Sequence, residues 1–221
     1  MGCGTQRKML AGAAAMLAAT CLPALSHPHV FAEARLDVAI GNDRTVEALH
    51  HVWRFDDLFS STVLVEFDKN QDLKLDAAEL KEVASVVHAS LAEFNYFQLV
   101  TANGRDVTME PPAELVADFT DNQLIILFES RPQEPLVLKG KVEFGVYDPT
   151  FYTAIDFTED EYLQAENMPQ GCKQAVIRPD PDDAIAQNQA TLTEAFFNDP
   201  TGNDLSKIFA TKLELTCSAN S

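Results

Sequence analysis

Positive charge is scarce in this sequence. Its 221 residues include 16 Lys and Arg against 34 Asp and Glu, which gives a formal net charge of −18 at pH 7. A surface this acidic repels nucleic acid and anionic lipid, and it attracts cations. The composition therefore excludes nucleic acid as a partner.

Recognisable catalytic motifs are also missing. The sequence has no G-x-S-x-G, no phosphate-binding Gly-rich loop and no H-E-x-x-H, the short patterns that mark common hydrolases, nucleotide-binding proteins and metalloproteases. His88, between Val87 and Ala89 on a predicted helix, is expected to be structural. We predict that the protein is not an enzyme.

The amino-terminal segment has the features of an export signal. A positively charged start precedes a short Ala-rich apolar run, Met9 to Leu22, and then the small residues Ala24 and Ser26. This order is typical of a secretory signal peptide, and the run is too short for a comfortable membrane span. We predict that residues 1–26 are removed and that the mature protein is periplasmic or secreted, without membrane insertion. A lipoprotein anchored at Cys21 is the alternative.

Cysteine is rare after this segment. Cleavage would remove Cys3 and Cys21 and leave Cys172 and Cys217. Two cysteines in an oxidising compartment pair more often than they stay free. We predict a disulfide between them, worth about 4 kcal/mol in the chain-entropy account; two free thiols are the alternative.

The mature sequence is rich in short strands. His29 to Ile40 alternates apolar and polar residues, and Thr45 to Phe55 returns after a turn, which predicts an antiparallel hairpin. Further strands follow up to the C-terminus, including a long one from Leu136 to Asp148, and they are interrupted by a helix from about Asp182 to Phe197. We predict a single mainly-β (α+β) domain over residues 27–221. It would be β-sandwich-like, with an EF-hand-like helix-loop-helix inserted at about 56–95 and a C-terminal helix.

The inserted loop has the oxygen spacing of an EF-hand calcium loop. The residues predicted to surround the ion are Asp68, Asn70, Asp72, Lys74 (through its backbone carbonyl), Asp76 and Glu79. Leu73 stands where such loops normally have Gly, and a left-handed backbone costs a non-glycine residue roughly 1–2 kcal/mol. The loop therefore either binds calcium weakly or keeps only the helix-loop-helix shape.

Histidines are concentrated at the new amino terminus. Cleavage places His27 and His29 at the first and third positions, on the same side of a strand. Pro28 has no amide hydrogen, so the planar amino-terminal metal clamp is excluded and side chains must complete the site. Nitrogen-rich sites suit nickel, cobalt, zinc or copper. The residues predicted to form this transition-metal site are His27, His29, His51, Asp56 and Asp148. The alternative is that these histidines merely lie at the end of a strand and bind no metal.

Four motifs together resemble the domain-of-unknown-function 1007 family. They are His27-Pro28-His29-Val30-Phe31, His51-x-Trp53-x-Phe55-Asp56-x-x-Phe59-Ser60, the EF-like loop, and Tyr147-Asp148-Pro149 with Cys172 downstream. The resemblance covers nearly the whole mature chain. It implies an exported component of an ABC-type transport system, found beside nickel/cobalt-type membrane transporters, and names no ligand residues. Family members usually have Gly where this chain has Leu73.

Two functional hypotheses follow. The first is a periplasmic metal-binding accessory protein that passes a transition metal to or from a membrane metal transporter, with the calcium-type loop as a brace or sensor. The second is a non-enzymatic interaction module that docks on such a transporter and carries no metal.

Overall fold

The computed structural model describes residues 28–189 and 206–218. The predicted signal peptide and His27 lie outside the described residues, as does the second half of the helix predicted to end at Phe197.

Seven strands form the first sheet: β1 (Val30–Ile40), β2 (Val46–Phe55), β5 (Met109–Glu110), β6 (Leu115–Thr120), β7 (Gln123–Pro132), β9 (Thr153–Asp156) and β10 (Leu163–Glu166). The predicted β1–β2 hairpin is present, and β7 pairs with the other side of β2. The outer side of β1 pairs in parallel with β9 and β10. The first strand of the domain is therefore internal to its sheet.

Five strands form the second, fully antiparallel sheet: β3 (Gln98–Ala102), β4 (Arg105–Asp106), β8 (Gly140–Val146), β11 (Cys172–Ile177) and β12 (Lys212–Cys217). Both sheets contribute to one hydrophobic core, where Trp53, Phe144 and Leu213 are almost completely buried. The mainly-β fold class is confirmed.

Two helices stand where the sequence predicts the insertion. α1 (Asp57–Phe67) and α2 (Ala77–Ala92) follow β2 and precede β3. Asp56 caps α1 and Asp76 caps α2 through side-chain oxygens that accept backbone N–H bonds. A third helix, α3 (Pro181–Asn188), begins at the predicted position. Within the described ranges no helix has the length and apolar character needed to cross a membrane.

One predicted strand, Leu136 to Asp148, is divided between the two sheets. Leu136 and Leu138 bond to the chain at the start of β2 in the first sheet. Gly140 then takes a left-handed φ of +71°, and the chain continues as β8 in the second sheet. Alternation of apolar residues continues through both parts, so it does not reveal the change of sheet.

A left-handed turn joins α2 to β3. Asn95, Tyr96 and Phe97 have φ values of 49°, 52° and 57°, a conformation that costs roughly 1–2 kcal/mol for each non-glycine residue. Phe97 stacks on Trp53 with ring centroids 5.9 Å apart, and Tyr96 packs against Phe128. Burial of these aromatic rings offsets the backbone cost.

Candidate cation-binding site

The loop between α1 and α2 takes the turn of an EF-hand loop without the usual glycine. Leu73, at the sixth position, has a φ of +62°, and its side chain is 76% exposed. Its N–H donates to Oδ2 of Asp68 at 2.8 Å. The first loop residue thus holds the sixth in the left-handed conformation.

The acidic and amide side chains of the loop bond to its own backbone. Oδ1 of Asn70 accepts from the N–H of Asp72 at 2.8 Å, and Oδ1 of Asp72 accepts from the N–H of Lys74 at 3.0 Å. Oδ1 of Asp68 accepts from the N–H of Asp72 at 3.2 Å. Side-chain oxygen atoms that could coordinate a cation therefore line the loop, and backbone N–H groups of the loop hold them in place.

Glu79 closes the loop. Its Oε1 accepts from the N–H of Lys69 and its Oε2 from the N–H of Asp76, both at 2.9 Å, and the residue is buried. Asp76 in return accepts from the N–H of Glu79 at 3.0 Å, which completes a capping box at the start of α2. Across residues 28–189 and 206–218, no three His, Cys, Asp or Glu side chains are placed to hold a metal ion. To bind a cation, the loop would therefore have to give up the hydrogen bonds that the Glu79 carboxylate accepts from the N–H groups of Lys69 and Asp76, so that this carboxylate could turn to the ion.

Two of the histidines predicted to form a transition-metal site, His29 and His51, are separated. His29 lies exposed at the start of β1, where its N–H donates to the carbonyl of Tyr152 at 2.8 Å. His51 pairs with Leu36, seven residues further along β1, and seven residues of strand span about 23 Å. The part of β2 that approaches the start of β1 is its end, at Phe55 and the following Asp56. The structure does not bring His29 and His51 together.

His51 belongs to the core. It is 1% exposed, its ring stacks on Phe128, and its Nε2 lies 3.3 Å from Oγ of Ser130. Burial, with a smaller effect from His50, lowers the pKa of His51 to about 3. Nδ1 is buried and has no hydrogen-bond partner. His51 is therefore a neutral core residue.

Both predicted acidic ligands are bonded to backbone. Asp56 caps the first turn of α1 with Oδ1 and accepts from the N–H of Phe31 with Oδ2 at 2.8 Å. Asp148 is buried, and its oxygens accept from the N–H groups of Thr150 at 2.7 Å and Thr153 at 2.8 Å. Asp56 therefore holds the starts of α1 and β1, and Asp148 holds the start of β9.

The predicted disulfide is present. Cys172 and Cys217, 45 residues apart, are bonded and face each other in the register of β11 and β12. The bridge fastens the last strand of the domain to its neighbour.

A groove on the first sheet was not predicted from the sequence. β7 pairs with β6 as far as Phe128 and resumes with β5 at Arg131. Four residues, 111–114, stand against only two on β7. Pro111 and Pro112 cannot donate to the ladder, so the segment bows away and leaves a cavity of about 650 Å³ between it and β2–β7. We call this the β2–β7 groove. Two adjacent prolines between strands were the available signal.

Two sheets around one core, with a helix-loop-helix between the second and third strands, define a mainly-β domain with a helical insertion. A family model described as "Protein of unknown function (DUF1007)" matches residues 12–217, and the chain belongs to this family. A relative from Haemophilus influenzae described as "Uncharacterized protein" is 23% identical over 196 residues, which cover 87% of this chain and 92% of the relative. The resemblance stated from the motifs is confirmed at the level of the family.

Proposed function

We propose that this chain is an exported, non-enzymatic cation-binding protein that serves transition-metal transport or homeostasis beside a membrane metal transporter. The observation that carries the cation-binding part of the proposal is the backbone of loop 68–79, where Leu73 takes the left-handed turn of a calcium loop despite its side chain. A non-glycine residue retains such a costly conformation only where the surrounding structure requires it.

In this proposal the loop binds calcium weakly and braces the insertion. The side-chain oxygens of Asp68, Asn70 and Asp72, the carbonyl of Lys74 and the carboxylate of Glu79 are the donors that a hard cation prefers. The Glu79 carboxylate, which now accepts from Lys69 and Asp76, would turn to the ion. Because the loop joins α1 to α2, an ion would stiffen the helix pair.

The transition metal is cargo in this proposal, held at the amino terminus. Signal cleavage would free an α-amine on His27, two residues before the exposed His29. His51, Asp56 and Asp148 engage other groups in the structure, so the site reduces to His27, His29 and the amine. A site with few protein ligands leaves coordination positions open for the receiving partner, which suits transfer better than storage.

Metal titration of the chain that begins at His27 tests the transition-metal part. We expect nickel or copper binding at about micromolar Kd, lost in His27→Ala and in His29→Ala and weakened by one extra residue before His27. His50→Ala, at an exposed histidine on β2, is the matched control and should bind normally. Equal affinity in the wild type and the His27→Ala/His29→Ala double variant would refute it.

A thermal-shift titration tests the loop. Calcium at about millimolar concentration should raise the Tm of the wild type, in line with a weak extracellular-type site. Glu79→Gln should abolish the rise, while Glu93→Gln, an exposed change at the end of α2, should keep it. A rise that survives Glu79→Gln would exclude the loop.

The second candidate function, a docking module without metal cargo, is favoured by exposed apolar residues on α1. Leu58 and Val65 are 75% and 79% exposed and lie seven residues apart, on one face of the helix. Soluble proteins expose large apolar side chains in contiguous patches mainly where a partner binds.

A further inference from the structure

The floor of the β2–β7 groove is apolar. Val52 lies directly opposite Leu127, which lies directly opposite Val116, so the three side chains form a row across β2, β7 and β6. They point away from the core, on the sheet face opposite to the buried Trp53 and Ile126. Val116 is 53% exposed. The described part of the chain therefore leaves an apolar strip open to solvent.

The rim of the groove is acidic. Glu110, Glu114 and Glu129 line it together with Arg131 and His50. Oε1 of Glu129 accepts from Nε of Arg131 at 2.9 Å and from Nη2 at 2.7 Å, so this guanidinium is neutralised within the groove. Within the described ranges, Glu110 and Glu114 make no side-chain hydrogen bond or ion pair. The groove thus presents two carboxylates that no described side chain binds, beside an apolar floor; Glu110 lies directly opposite Arg131, whose guanidinium is bonded to Glu129.

The outer wall of the groove is anchored. Nε2 of His88, on α2, lies 2.8 Å from the carbonyl oxygen of Pro112 and donates to it. The two prolines have fixed φ angles, which leaves the bowed segment little freedom. A pre-formed wall lowers the entropic cost of binding a ligand.

We propose that the β2–β7 groove docks a basic segment of a partner protein. The aliphatic stem of a Lys side chain would lie on Val52, Leu127 and Val116, and its ammonium group would meet Glu110 and Glu114. A Lys side chain has an apolar stem, which suits the apolar floor, and a terminal positive charge, which suits the acidic rim. The inference does not depend on metal binding by the loop or by the amino terminus.

A bare metal ion fits this groove less well than a basic side chain. No three His, Cys, Asp or Glu side chains in residues 28–189 and 206–218 are spaced to hold an ion, and a metal ion would leave the apolar floor uncovered. A cavity of about 650 Å³ lies in the range that accommodates organic ligands. An anionic partner is disfavoured by the two free carboxylates.

Fluorescence anisotropy with a dye-labelled, blocked peptide of alternating Lys and Val tests the proposal. The exported chain should bind this peptide saturably, and Glu110→Gln/Glu114→Gln should weaken binding at least about fivefold, as expected for two partly solvated ion pairs. The matched control is Glu66→Gln/Glu93→Gln, which removes the same net charge at two exposed helix positions. It should change the affinity less than about twofold. Val116→Ser should also weaken binding if the apolar floor is used.

Four results would overturn the proposal. An equal loss in the groove and control variants would show attraction by net charge alone. Equal binding of a peptide with norleucine in place of Lys would show that the positive charge of Lys does not contribute to binding. Displacement of the peptide by an equal concentration of 1,5-diaminopentane would assign the groove to a small amine. Absence of saturable binding up to about 1 mM peptide would exclude the docking site. Metal titration of the same variants should be unchanged, which separates this inference from the proposed function.

Discussion

The imidazole of His51 lies flat on the phenyl ring of Phe128, with ring centroids 4.3 Å apart and planes 7° from parallel. The rings of Phe128 and Trp53 also meet at nearly a right angle, with centroids 5.0 Å apart. Protonation would place a charge inside this aromatic cluster, and burial accordingly lowers the pKa of His51 to about 3. His51 therefore makes the stability of the domain depend on pH.

We expect stability to fall as the pH falls below the ordinary histidine pKa of 6.5. Between that value and about 3, the unfolded chain binds a proton at His51 that the folded chain does not bind. The free energy of unfolding should decrease through this window by up to about 1.4 kcal/mol per pH unit from this residue alone. Above pH 6.5 both states are neutral, so the contribution is constant. Urea unfolding at pH 7, 6, 5 and 4 measures the effect.

The matched variants are His51→Phe and His50→Gln. The first removes the buried titrating group and keeps an aromatic ring beside Phe128, so its stability should vary less between pH 6 and pH 4 than that of the wild type. The second alters an exposed neighbour and should leave the pH dependence in place. An unchanged slope in His51→Phe would show that carboxylates alone cause the acid sensitivity.

Replacing Leu73 with glycine should relieve the backbone strain at the left-handed turn of the loop. The change removes a Cβ penalty of roughly 1 kcal/mol or more at φ +62°. The Cβ penalty lowers the population of this turn in the ion-free loop, so its removal should lower the Kd for calcium by up to about tenfold. Isothermal titration calorimetry of the wild type and Leu73→Gly measures this difference, with Leu73→Ala as the control that keeps the penalty. An equal affinity in Leu73→Gly and Leu73→Ala would mean that the turn does not limit binding.

Reduction of the Cys172–Cys217 bridge should destabilise the domain. The chain-entropy account assigns about 4 kcal/mol to a loop of this length, and the bridge joins paired residues of β11 and β12. Guanidinium unfolding with and without reductant should show the loss in the wild type. Cys172→Ser/Cys217→Ser should start from the lower stability and be insensitive to reductant. A reductant effect in that variant would point to another cause.

Asp56→Ala should destabilise the fold whether or not metal is present. The carboxylate caps α1 and accepts from the N–H of Phe31 in β1, and the loss of both contacts should cost about 2 kcal/mol. Asp56→Asn keeps a cap acceptor and should lose less. Urea unfolding with a chelator present distinguishes this structural role from a metal-ligand role, because a ligand role would leave both variants as stable as the wild type.

Local patterns predicted much of the fold. The alternation in His29 to Ile40 and the spacing of loop 68–79 each report on neighbours within a few residues, and the structure places a strand and a helix-loop-helix there. The predicted pairing of Cys172 with Cys217 is present as well. The strand and helix signals succeed because local backbone chemistry determines them, and the disulfide prediction succeeds because only two cysteines follow the predicted signal segment.

Contacts between segments that are far apart in the sequence were harder to predict. The predicted transition-metal site required His29 and His51 to lie together, but the register of the hairpin puts His51 opposite Leu36, seven residues further along β1. The division of the predicted strand at Gly140 and the parallel pairing of β10 with β1 depend on which sheet completes the core. A single sequence carries no direct signal for that choice.

The internal position of β1 has a consequence for how the domain is made. β1 precedes every other strand in the described residues, yet β9 and β10, which cover its outer side, come more than a hundred residues later. Until they arrive, the β1–β2 hairpin has an open edge, which invites pairing with other chains. Non-local closure of this kind makes folding slow, so the newly made chain would pass through an interval in which a chaperone could shield that edge.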